Sequence, residues 1–134
     1  MQANRISNVA ARIMMRRRIT AEDVGLLKDL TLPGGYVTRE ETADLVRIER
    51  HVAAADPSWG PFFVDTIGAH FAWESRPPGV VAESDARWLV ERMGLETSGP
   101  TPNTAALTAR WRAEGVAVPQ FMLRCTEPKP AKAA

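Results

Sequence analysis

Tyr36-Val37-Thr38-Arg39-Glu40-Glu41 is the stretch that decides the fold class. Thr38 carries a hydroxyl that can accept from the backbone N–H three residues on. Glu41, at that third position, can reach back to the N–H of Thr38, so two donors that a helix start leaves orphaned are satisfied together. Val37, extended just before the cap, is placed to pack on the first turns of the helix as a hydrophobic staple. The arrangement recurs at Arg18-Ile19-Thr20-Ala21-Glu22-Asp23 and at Val80-Val81-Ala82-Glu83-Ser84-Asp85. Each copy has a β-branched residue, a cap position, and an acid three residues past it where the helix dipole favours negative charge. Each also reaches a leucine seven past the cap position: Leu27, Leu45 and Leu89.

Outward from these starts the chain reads as helix throughout. Ile6, Val9, Ala10, Ile13 and Met14 form one apolar stripe in a helix over about Asn4 to Arg17, with Arg16, Arg17 and Arg18 at its C-terminal end. Val24, Leu27 and Leu30 mark the next, stopped by Pro33-Gly34-Gly35; Leu45, Ile48 and Val52 mark a third. Asp56-Pro57 pairs an N-cap with a proline at N1. It opens the most hydrophobic segment, Trp59, Phe62, Phe63, Ile67, His70 and Phe71, which reads as the central helix. A fifth helix is expected from about Glu83 to Met93, burying Ala86, Leu89, Val90 and Met93, and a sixth from Thr101-Pro102 through Leu107 and Trp111 to Gly115. Pro119 begins a last short turn with Phe121, Met122 and Leu123. No segment alternates long enough for a sheet. The expectation is all-α: a compact bundle of five to seven helices forming one domain over 1–125, with 126–134 a disordered tail.

Composition fits that reading and excludes several classes of function. The 134 residues are 45% hydrophobic and 25% charged, with a formal net charge of +1, so no strong global field acts on nucleic acid or membrane. A single cysteine, Cys125, forbids an internal disulfide. No run approaches the about 20 apolar residues that span a bilayer. A cytoplasmic protein with no membrane partner is expected.

Two copies of the helix-start signature follow a glycine, Gly35 and Gly79, and so match the back half of an EF-hand loop. The front half lacks oxygen ligands: Leu30, Leu32 and Gly34 stand there in one copy, Glu74, Arg76 and Pro78 in the other. The run Gly34 to Glu41 is similar to the helix-start signature of TerB-like (tellurite-resistance-associated) helical proteins. The Gly79 to Asp85 run and the Trp59/Phe63/Ile67 helix between them extend the resemblance over roughly residues 5 to 95. It implies a TerB-like bundle with degenerate EF-hand-like turns, a bacterial stress-response association, and in some members an acidic metal-binding surface. The acid that precedes the glycine in the family pattern is here Gly34 in one copy and Pro78 in the other.

No chemistry of a catalyst is legible. His70 and Glu74 share a helix face, but only His51 and His70 are present and no zinc or HExxH spacing exists. Cys125 has no nearby base. No phosphate loop, nucleophile elbow or dinucleotide fingerprint occurs. The expectation is a non-enzyme without cofactor, metal or catalytic residues. Four tryptophans are many for this length; Trp88 falls beside the Leu89 stripe and Trp73 lies close before the Arg76-Pro77-Pro78 turn. Exposed aromatics beside arginines typify protein interfaces, so Trp73, Arg76, Arg87 and Trp88 are the expected protein-binding residues. The alternative is nucleic-acid binding through Arg12, Arg16, Arg17 and Arg18, and a metal-binding TerB-like domain is the second alternative. Among partners, a protein comes first, with nucleic acid and a homodimer as further candidates.

Overall fold

Thr38 and Glu41 make the reciprocal pair their spacing requires: the Glu41 N–H donates to Thr38 Oγ1 at 3.1 Å and the Thr38 N–H donates to Glu41 Oε1 at 2.9 Å. They start α3, Arg39–His51, in a computed structural model that describes residues 4–31, 36–74 and 77–126. Seven α-helices fill those residues: α1 Ser7–Arg16, α2 Ala21–Thr31, α3, α4 Trp59–Ala69, α5 Glu83–Met93, α6 Pro102–Ala113 and α7 Gln120–Thr126. The protein is mostly α-helical, as its periodicity demands. The Pro33-Gly34-Gly35 stop, Arg76 and residues 127–134 lie outside the described residues.

The other expected starts differ in detail. Thr20 and Asp23 form the same reciprocal pair before α2 (3.2 and 2.9 Å), and Thr101 forms one with Thr104 before α6. Ala82 has no side-chain oxygen to offer, and Asp85 pairs with Arg39 at 2.8 Å. Asp56 is not the N-cap expected: its carboxylate accepts from the Ser58 N–H at 2.9 Å in a turn before the helix, which begins at Trp59 with Ser58 at the cap position and no side-chain cap bond. The fifth helix has the expected bounds and buries Ala86, Leu89, Val90 and Met93. Thr126, placed in the tail on sequence, is instead the buried end of α7, and Thr108 Oγ1 donates to its hydroxyl at 2.9 Å.

Two short parallel pairings join segments that each lead into a helix. Strand β1, Arg18–Ile19, pairs with β2, Ala54–Ala55, in the register Arg18 opposite Ala54. An isolated parallel bridge joins Val80 to Ala117. In each case two helices intervene along the chain and each paired segment leads into a helix, α2 and α4 in one case, α5 and α7 in the other. Helix α1 runs beside α3 in the same direction. Arg5 and Asn4 hold the start of α3 through Glu41 and Asp44, and the Ala53 N–H donates to the Arg17 carbonyl beyond its end. The core between these layers is built on Trp59, Phe63, Ile67, Phe71, Leu89 and Trp111, all at 1% exposure or less.

Glu41 itself is fully buried, and Arg5 meets it with its backbone N–H (2.8 Å), Nε (2.8 Å) and Nη2 (2.9 Å). Burial pushes the carboxyl upward, but the hydrogen bonds from Arg5 and the Thr38 backbone outweigh it and hold the pKa at about 2. A depressed folded-state value stabilises the fold above the ordinary glutamate range, and that stability is lost as pH falls from about 4.5 toward 2. Glu41→Ala should therefore cost about 3–5 kcal/mol in urea unfolding at pH 7, as expected for a buried pair broken on one side. The difference from wild type should shrink progressively below pH 4.5; a pH-independent difference would show that the pair does not titrate as described.

Candidate functional site

Helices α4 and α6 approach closely because small residues line their contact. A Cβ on Gly60 would stand 2.7 Å from Asn103 Oδ1, so a larger residue there would displace the end of that side chain. Further along, the Trp111 indole N–H donates to the Gly68 carbonyl at 3.2 Å. Glu49 of α3 anchors the near end, accepting from Trp59 Nε1 at 2.7 Å and Asn103 Nδ2 at 2.9 Å. With Leu107 and Trp111 turned inward, the outer side of α6 presents Pro102, Ala106, Ala109 and Ala113, all exposed and spaced 4-3-4.

Two adjoining clefts run along this face, sharing Val64 and Arg110. The larger, about 550 Å³, is lined by Gly60, Pro61, Val64, Asn103, Ala106 and Ala109 besides Arg110. The smaller, about 90 Å³, passes Asp65, Gly68, Ala69 and Glu114 and ends at Trp73. Arg110 spans it, 2.8 Å from Asp65 and 3.1 Å from Glu114, and hydrogen bonds to Glu114 and then to Asp65 raise its pKa further. Trp73 is 42% exposed, its indole N–H directed at Glu114 Oε1 at 3.4 Å and its far ring edge above Gly79.

Trp73 owes its position to a change of helical pitch. After Ala69 the chain widens into a π turn, His70–Glu74. The extra residue brings both Phe71 and Ala72 into the core and leaves Trp73 and Glu74 outside. His70, mostly buried, hydrogen-bonds Glu74 through Nδ1 and packs edge-on against Phe71.

Three of the four residues expected to bind protein are described, and each has its own surroundings. Trp88 is half-buried: Phe71 packs on it at 5.9 Å, Arg39 lies over both rings at 4.9 and 4.7 Å, and Arg92 adds a second cation at 5.3 Å. Arg87 is exposed, stacks over Phe121 of α7 at 4.9 Å and reaches Glu83 at 3.1 Å. Trp73 stands alone on the α4/α6 side, and no ring contact or hydrogen bond among the described residues joins it to Arg87 or Trp88. Arg76 lies outside the described residues.

Of the basic residues, Arg16 is engaged, its Nη2 donating to both oxygens of Asp23 at 2.9 and 2.8 Å. Arg12, Arg17 and Arg18 are exposed and form no ion pair among the described residues. Arg17 ends α1 at φ 55°, a left-handed conformation costly for a non-glycine residue, stabilised by its N–H donating to the Met14 carbonyl. No group of three or more metal-ligating side chains exists among the described residues. Cys125 sits half-buried in α7, where burial first and Glu96 second push the thiol pKa upward.

The Ala106/Ala109 face is not among the residues singled out from sequence, where Leu107 and Trp111 alone mark this helix. The signal was there as small residues repeating opposite the Leu107/Trp111 stripe. Comparison with known protein families, curated proteins and solved structures gives no match.

Removing the guanidinium that covers Trp88 isolates its role. Arg39→Ala should red-shift tryptophan emission and lower stability by about 1 kcal/mol, the sum of an exposed ion pair and a cation–π contact. Unchanged emission would mean that Arg39 does not shield the ring.

Proposed function

We propose that this protein is a non-enzymatic interaction module that docks a protein partner on the α4/α6 face, with Trp73 as the anchor. The observation that carries this reading is an exposed tryptophan beside a furrow whose walls combine glycine, alanine, proline and valine with Asn103, Asp65, Arg110 and Glu114. Aromatic anchors beside small apolar surface are typical of binding hot spots. The resemblance of residues 5 to 95 to TerB-like proteins adds a stress-associated role to the proposal. Arg87 and Trp88 contribute to the fold around α5 and α7 in this reading, and the partner surface centres on Trp73.

Trp73→Ala should lower affinity for a partner captured by cross-linking in the native host by about 30-fold, the effect of losing a hot spot of about 2 kcal/mol. Ala109→Glu, an exposed change with little effect on stability, should do the same. Both variants retaining the wild-type partner would refute the docking face.

A second reading is favoured by one specific observation. Arg12, Arg17 and Arg18 lie close in sequence around the end of α1, exposed and in no ion pair among the described residues, and Arg17 is held there in a strained conformation. This corner suits a phosphate backbone. Changing all three to alanine should reduce the slope of log affinity against log salt for a DNA duplex by about 3, near 0.9 per phosphate contact. No retention of wild type on heparin at low salt would dismiss this reading.

A further inference from the structure

The same order of elements occurs twice in this chain. Arg17 and Gly79 are both left-handed, at φ 55° and 83°. Each precedes a short extended segment that leads into an 11-residue helix, α2 after Ile19 and α5 after Val81. Thr38 and Thr101 then close the capping boxes that start α3 and α6. Ala54 and Ala117 return to pair in parallel with the two extended segments, and Pro57 and Pro119 stand just before α4 and α7. The members of every pair are equally far apart in sequence to within one residue. Packing repeats with the order: α2 lies on α4 as α5 lies on α7, and α1 lies on α3 as α4 lies on α6.

One interface of this repeat lacks its counterpart. In the first unit α5 covers α3: Arg39 pairs with Asp85 and lies over Trp88 at 4.7 Å, and Arg50 Nη1 donates to the Arg92 carbonyl at 3.0 Å. Between those two arginines on α3, Val46 is buried to 2%. Counted from the threonine caps, the same places on α6 hold Pro102, Ala109 and Ala113, and all three are exposed. Pro102 and Ala109 line a groove of about 380 Å³ whose other wall is Leu123 and Thr126 of α7. At the opposite end of the repeat α2 is open in the matching way. Leu26 stands at the place of Trp88 and is 43% exposed. The inner cation–π contact of Arg39 with Trp88 thus has as its outer counterparts an exposed proline and an exposed leucine. Repeat architectures bury such faces against the next unit.

The run from α4 into the π turn shows how a next unit joins. Thr126, which ends α7, is at the place of Val64; Ser7, which begins α1, is at the place of Ala69. This single run therefore occupies the places of α7 and then of α1, one after the other.

We propose that a second copy of this chain docks head to tail on the α6/α7 groove. Its α2 packs on α6 as α5 packs on α3, with Leu26 against Pro102 and Ala109, and its α1 continues the line of α7. The occupant is a second copy because α2 is the element equivalent to α5 and carries the uncovered leucine. The contact is heterologous, so every copy has one head, at Leu26, and one tail, at Pro102, and the assembly extends beyond two copies. This inference goes beyond the docking reading on the α4/α6 face, and Trp73 takes no part in it.

The test is the sedimentation-equilibrium mass of the full chain and of two variants. Leu26→Glu alters an exposed position, and Pro102→Glu places an acid in the first turn of α6, where the helix dipole favours it. The wild-type mass should rise with concentration past that of two copies. Each variant alone should stay at the mass of one copy where wild type associates. An equimolar mixture of the two should reach the mass of two copies and stop there, since it offers one intact head to one intact tail. Trp73→Ala should associate as wild type does, so loss of the captured partner with self-association retained would refute nothing here. Wild type staying at one copy up to about millimolar concentration would overturn the inference. So would association by either variant alone, a mixture that stays at one copy, or loss of association in Trp73→Ala.

Discussion

Glu41 is a carboxylate with no access to water, and an uncompensated charge there would be untenable. Its partners are therefore structural requirements. Arg5 supplies its guanidinium and its own backbone N–H, and Thr38 supplies another N–H. Satisfying this one group determines where the chain enters α1, and so lays α1 along α3 in the same direction. That alignment brings Arg17 beside Ala53 and creates the β1–β2 pairing from which α2 and α4 depart. One buried charge thus sets the relative placement of the first four helices.

The other two copies of the helix-start signature obey the same logic with different partners. Asp23 caps α2 and also holds Arg16 from α1; Asp85 has no hydroxyl cap to answer and holds Arg39 from α3. In each copy the acid at the third position fastens an arginine from elsewhere in the chain. This explains why arginines that look like a free basic surface in sequence are partly committed. Arg5, Arg16 and Arg39 tie elements together, and Arg39 in addition roofs Phe71 and Trp88. The signature is a helix start and a tertiary clamp in one device.

The docking face has a separate origin. Leu107 and Trp111 of α6 turn toward α4 beside Gly68, while Asp65 and Arg110 stay on the outer side. The outside combines small apolar residues with the Asp65, Arg110 and Glu114 cluster, and the π turn adds the exposed ring of Trp73. Trp73 is consequently exposed beside residues too small to cover it.

The sequence by itself determined the helices. Their starts are governed by hydroxyl–acid pairs three residues apart and their inner faces by apolar spacing, both local properties that survive without neighbours. The burial of Ala86, Leu89, Val90 and Met93 and the cap at Thr38 were legible for that reason. Trp73 was legible as an aromatic near a turn. Tertiary structure alone decided that Trp88 would be covered by Arg39 and Arg92, that Arg87 would face Phe121, and that Asp85 would clamp rather than cap. It also decided the π turn and the Ala106/Ala109 face. These depend on which helices come within reach of one another, and that is set by buried charge pairs and glycine contacts between residues far apart in the chain, which local pattern does not encode.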